Sequence, residues 1–271
     1  MNPVPTPSLP TVLAAPATAS GATPLPLVIR ALVLLRLRAL LRPKLFLRFL
    51  GIAAGVVAIT VLSVPRGNAE QFSQWSVDVF LLKIVPLLCL VAGGGALRDE
   101  IRSFTIEYLW TRPARKAHLV IGAYVGTVLL VFVQVAVFTT LIHLIGVIRD
   151  IPGAAAHLPV VLGATLGAVL AFSALGMALG VLTGKYMVAG VLYGGLIEIG
   201  LSRLPTRLNL LSVTHHVQSL LQSAGVGVAD FSLLRLLSGT AGCLTIAAVG
   251  VAAAALIFTT KTYRIGDEKE S

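Results

Sequence analysis

The 271 residues carry 21 Lys and Arg against 11 Asp and Glu, a net charge of +10, yet charged side chains make up only 12% of the chain and apolar ones 56%, with mean hydropathy +0.93. That balance excludes a soluble domain with a solvated surface around one core, and runs without strict alternation, such as Gly242 to Phe258, set aside a transmembrane barrel. The basic excess is not a nucleic-acid surface either: Lys and Arg collect at the ends of apolar runs, where they anchor to anionic lipid and fix orientation.

Residues 1–26 are rich in Pro, Ala and Thr, uncharged, and without a basic start or a continuous apolar stretch; they read as a disordered N-terminal leader rather than a signal peptide. Composition then shifts to Leu, Val and Arg. At 100° per residue Arg30, Arg38 and Arg42 share about a third of a helix circumference while Arg36 lies off it, which fits an interfacial elbow helix over 27–44 lying along the inner leaflet. Pro43 breaks it before the first crossing.

Spans are expected near 45–64, 77–97, 119–148, 159–182, 187–201 and 236–260, each being mainly apolar over a length suited to hydrocarbon. The fifth is short, and the following connection, 202–235, is semi-apolar and too long for a simple turn, so it carries short helices or a re-entrant segment. With the N-terminus inside, the positive charges of the connections concentrate on the cytoplasmic side and leave only Arg66, Arg149, Arg203, Arg207 and Arg235 opposite. The expected class is therefore an all-α polytopic membrane protein with about six spans, both termini cytoplasmic, and a cytoplasmic tail at 261–271.

The connection between spans two and three, 98–118 (RDEIRSFTIEYLWTRPARKAH), is dense in charge, yet Ile101, Phe104 and Tyr108 recur at helical spacing. Such a stripe wants an apolar partner; a solvated loop with one membrane-facing side is the plainer alternative. Within it Glu100, Thr105, Glu107, Leu109, Pro113 and Lys116 stand in order, followed by Gly122 and Tyr124. That order resembles the signature of the membrane subunits of type-2 ATP-binding-cassette (ABC-2) exporters, with Phe104 in place of a Gly and Ala123 in place of a Lys. The elbow helix, the six spans, the inward termini and the long fifth-to-sixth connection are similar to that family over the chain from Leu27 onward. The resemblance implies a coupling helix at Arg98–Leu109, with Glu100, Ile101, Phe104, Thr105, Glu107, Tyr108 and Leu109 contacting a cytoplasmic ATPase subunit, and Arg112, Arg115 and Lys116 anchoring its exit at the lipid surface. It implies a permease of a bacterial inner membrane, paired with a second copy of itself or a similar permease. No Gly-x-x-x-x-Gly-Lys-Ser/Thr phosphate loop is present in the chain, so ATP and Mg2+ belong to the partner and this chain is not the enzyme.

Ionisable residues inside spans carry their own expectation. Lys83, in span two, and Glu198, in span five, fall at similar depths near the outer side; they pair, line an outward-facing cavity, or snorkel separately to the headgroups. His143, His215 and His216 lack chelating spacing, and no metal is expected. Cys89 and Cys243 sit in apolar runs as core residues. The sets Gly93-Gly94-Gly95, Gly163/Gly167, Gly176/Gly180 and Gly190/Gly194 make small-residue faces for close helix approach. An intramembrane enzyme is disfavoured, since no His-Glu-x-x-His, Gly-x-Ser-x-Gly or mid-membrane aspartate pair occurs. A nonenzymatic membrane anchor or assembly factor that recruits a cytoplasmic partner is the remaining alternative.

Overall fold

The computed structural model describes residues 26–34 except 28 and 32, then 43–102, 116–198, 200, 207–223 and 232–260. Among these the secondary structure is helical throughout, with no strand. The helices are α1 (Pro43–Ser63), α2 (Ala69–Ser73), a π-helical segment π1 (Gln74–Ile84), α3 (Val85–Arg102), α4 (Lys116–Ile148), α5 (Ala154–Leu182), α6 (Tyr186–Leu192), a second π-helical segment π2 (Tyr193–Glu198), α7 (Val213–Ser223) and α8 (Leu233–Thr260), with a 3-10 turn at Arg207–Leu211. The leader, the elbow beyond residue 34, most of the coupling segment and the tail lie outside the described residues.

Four helical runs are long and apolar enough to cross a bilayer: Ala69–Arg98, Lys116–Ile148, Ala154–Leu182 and Leu233–Thr260. The run expected as span one forms α1, 21 residues from Pro43 to Ser63, and the run expected as span five forms α6 and π2 over Tyr186–Glu198; the apolar stretches described within them are Phe49–Ser63 and Tyr186–Gly195. The outward faces are those of a protein in lipid: Leu62 is 85% exposed and Leu234 78%, contacts that water would penalise and acyl chains would not.

Local chemistry explains several boundaries. Pro43 opens α1, where its missing N–H costs nothing because a first-turn donor has no intrahelical partner. Asn68 caps α2, its Oδ1 accepting from the Gln71 N–H at 2.9 Å. Pro86, two residues beyond π1, cannot donate to the carbonyl four residues back; just before it the Val85 N–H donates to the Phe80 carbonyl, one residue beyond the α-helical partner. Gly153 (φ 76°) forms the tight turn that starts α5, and the Gly67 N–H donates to the Arg149 carbonyl at 3.1 Å, joining the α1–α2 and α4–α5 connections at one end of the bundle.

Helix α5 is the central post, packing against α3, α4, α6, α7 and α8. Its sequence is rich in Ala and Gly, which lets backbones approach. A Cβ on Gly176 would lie 2.5 Å from the Leu90 carbonyl oxygen, one on Gly180 would collide with the Gly94 carbonyl, and one on Gly93 with the Ser173 carbonyl. Two of the expected small-residue faces thus meet each other at the α3–α5 crossing, whereas Gly163 faces open space. The larger core cluster includes Phe80, Leu90, Ile142 and Phe172; a smaller one of Ala96, Val120, Met177, Val181 and Phe258 closes the end where α3, α5 and α8 finish and α4 begins. Cys89 and Cys243 are buried thiols, as expected.

Candidate functional site

The coupling segment starts on the last turn of α3, where Glu100, Ile101 and Arg102 are helical. Phe104, Thr105, Glu107, Tyr108, Leu109, Arg112 and Arg115 lie outside the described residues, and the chain resumes at Lys116, exposed on the first turn of α4. Both edges of the segment stand at the same end of the bundle, beside the end of α8. Further along α4, Gly122 is buried and the Tyr124 hydroxyl donates to the Leu170 carbonyl of α5 at 2.9 Å, so the tyrosine that closes the sequence motif ties α4 to the central helix.

The second candidate is Glu198, only 3% exposed. Its Oε1 accepts from the Ser212 hydroxyl at 2.7 Å and from the Thr214 N–H at 2.6 Å. The Ser212 Oγ in turn accepts from the His215 N–H at 3.2 Å. Glu198 therefore supplements the N-cap of α7: Ser212 supplies the local cap, and the carboxylate reaches a first-turn donor from another element, with its charge at the favourable end of the helix dipole. The π2 turn contributes as well. A π-helix takes more residues per turn than an α-helix, which brings residue 193 toward residue 198, and the Tyr193 phenol faces the same carboxylate. The second oxygen, Oε2, is buried and has no hydrogen-bond partner among the described residues.

Lys83 is exposed on π1, and the groups that donate to Glu198 Oε1, the Ser212 hydroxyl and the Thr214 N–H, come from the 202–235 connection. Ser212 and Thr214 were not singled out from the sequence. The available signal was a Ser immediately before a helical apolar pattern at Val213, Val217, Leu220 and Leu221, a usual N-cap arrangement.

Helix α7 sits well along the flanks of α5 and α8. Leu220 reaches Gly167, which lies about 20 Å along α5 from Ala154 at 1.5 Å per residue, and a Cβ on Gly167 would lie 3.2 Å from it. The His216 ring occupies the space that a side chain on Gly242 of α8 would need, and its Nε2 is 2.9 Å from the Leu210 carbonyl. A carbonyl only accepts, so Nε2–H is the donor. His143 is likewise used locally: its Nδ1–H donates to the Thr139 carbonyl at 2.9 Å, and its ring meets Phe72 edge-on at 5.3 Å.

His215 gives a pH prediction. Burial, and then the neighbouring His216 ring, hold its pKa below the ordinary histidine value. Folded His215 stays neutral where the unfolded chain would take a proton, so its contribution is complete above about pH 6.5 and is lost as pH falls through the window below. Amides of residues 213–223 are expected to exchange faster at about pH 5.5 than at about pH 7.5 once intrinsic rates are removed. His215→Gln should flatten that difference; an unchanged difference would assign it to another group.

Compared with known proteins, the chain matches no protein-family model and no curated protein.

Proposed function

We propose that this chain is the transmembrane permease half of an ABC-2 type exporter, an oriented six-span unit with both termini cytoplasmic that couples ATP hydrolysis in a separate subunit to movement of a substrate across the membrane. The observation that carries the reading is the ordered set Glu100, Thr105, Glu107, Leu109, Pro113 and Lys116 in the charged connection between two long apolar helices. Support comes from the placement of both edges of that connection at one end of the bundle, where a cytoplasmic subunit would reach them together. In this reading α1 and the α6–π2 segment are the two remaining crossings, and α7 is the re-entrant element of the outer connection.

The mechanism follows from general two-state transport physics. ATP and Mg2+ bind and react in the partner; closure of the ATPase pair displaces the 98–118 segments of two permease halves, and the helix bundles rock between inward-open and outward-open states. The central α5, locked to α3 through glycine contacts, would carry such motion as a rigid unit.

Purification of the tagged chain from its native membrane is expected to bring down an ATP-hydrolysing subunit with a phosphate loop. Reversal of charge at both Glu100 and Glu107 should weaken that association at least about tenfold, the scale for lost contacts of a coupled charge pair, while leaving bundle stability unchanged. Recovery of a stable partner without ATPase activity would make the chain an anchor or assembly factor instead.

A further inference from the structure

A cleft of about 450 Å³ lies among α1, α3 and α4. Its walls are apolar, including Phe49 of α1, Leu88 and Ala92 of α3, and Val131 and Phe138 of α4; Phe49 and Phe138 stack at 5.2 Å between ring centroids. The exception is Gln134, whose side-chain amide has no hydrogen bond among the described residues. An amide in hydrocarbon without a partner is costly. Ile52, Leu87 and Leu88 are partly exposed at the cleft, which leaves it open sideways.

Three quantities narrow what could occupy it. Gln134 stands about 27 Å from the Lys116 end of α4 and about 21 Å from the Ile148 end, near the middle of a hydrocarbon layer about 30 Å thick. A phospholipid's esters and headgroup lie at the edge of that layer, about 15 Å away, so an ordinary lipid cannot bring its polar part to this amide. A helix from a second copy is about 10 Å across, and the cleft volume corresponds to little more than one turn of it. The volume does fall within the range of about 300 to 1,000 Å³ usual for small-molecule sites, which are mostly apolar with few placed polar groups.

We propose that the cleft binds one lipid-soluble amphiphile, a long alkyl or isoprenoid body bearing a single hydroxyl or carbonyl, which enters from the hydrocarbon and hydrogen-bonds the Gln134 amide. The apolar body replaces acyl chains against the α1, α3 and α4 walls. The polar group gives the site its selectivity, because it satisfies the one polar side chain that lines the cleft among the described residues. None of the residues lining the cleft belongs to the Glu198 cluster or to the described edges of the 98–118 connection, so the inference stands independently of the transport reading.

The test uses the full chain in lipid nanodiscs with a photoreactive, alkyne-tagged long-chain alcohol as probe, and the same tagged chain without the hydroxyl as control. Labelling by the alcohol is expected to concentrate on peptides containing Leu87 to Ala92 and Val131 to Phe138, and to be competed away by unlabelled alcohol. Gln134→Leu should reduce it by about three- to tenfold, the range for one hydrogen bond within a membrane, without reducing labelling by the hydrocarbon control. Ala92→Phe, which fills the cleft, should reduce both. Saturable competition on the unmodified chain keeps the test decisive if either variant fails to fold. Labelling no stronger than on the lipid-facing Val249 surface of α8, or labelling indifferent to the hydroxyl, would overturn the proposal. So would a disulfide joining two copies of Gln134→Cys across the cleft, which would identify the occupant as a second chain.

Discussion

Gly180→Ala is expected to lower the unfolding free energy by about 3 kcal/mol, at the upper end of the usual cost of overpacking, although it adds a single methyl group. The reason is what that methyl would meet. A Cβ at this position collides with the carbonyl and Cα of Gly94, which are backbone atoms of a helix held on its other faces and unable to swing aside as a side-chain tip would. The α3 and α5 axes would have to separate, which would loosen Gly176 against Leu90 and Gly93 against Ser173 in the same crossing. Gly163→Ala is the matched control. It lies on the same helix, faces open space, and should be neutral or stabilising by up to about 1 kcal/mol from helix propensity alone. Reversible unfolding in mixed detergent micelles compares the two directly. Equal stabilities would show that α3 and α5 do not cross at backbone contact.

The same crossing shows what the sequence could and could not disclose. Small residues at helical spacing were legible in α3 and α5 as faces for close approach, because little else explains so many glycines in apolar helices. Which face meets which was not legible, since Gly163 and Gly167 carry the same four-residue spacing as Gly176 and Gly180, yet Gly163 meets nothing and Gly167 meets Leu220. Hydropathy located all four long apolar helices, but it did not reveal π1: the residues QWSVDVFLLKI have no compositional mark of a widened helix, and only Pro86 behind them supplies a physical cause. The start of α5 at Ala154 rather than near Pro159 has a related basis, since Pro159 is accommodated near the beginning of the helix.

The buried acid illustrates a different limit. Counting residues placed Glu198 at a depth comparable with Lys83, but depth is one coordinate of two, and rotation about the helix axis depends on packing that periodicity alone does not determine. The partner came from 14 to 16 residues further along the chain, through a connection whose path no local pattern fixes. The buried location fits the rule that acids within apolar helices turn inward toward polar groups.

Glu198→Ala is expected to release α7 from π2. It leaves the buried Ser212 hydroxyl and the Thr214 N–H without their shared acceptor, at about 1 to 3 kcal/mol for each donor, partly offset because the carboxylate no longer has to be held out of water. A net loss of about 2 kcal/mol follows from these opposing terms. Glu198→Gln retains a carbonyl oxygen that can accept at the Oε1 position, so its cost should be nearer about 1 kcal/mol. The readout is local: Val213 is fully buried, and Val213→Cys should react with a maleimide at least about tenfold faster when combined with Glu198→Ala, while Glu198→Gln should fall between that variant and the parent. Amide exchange in α4 should be unchanged, since α4 is linked to this region through α5 and α8. If Glu198→Gln and Glu198→Ala open α7 equally, acceptance by the carboxylate oxygen is not what docks the helix, and the contacts of His216 and Leu220 with α8 must hold it alone.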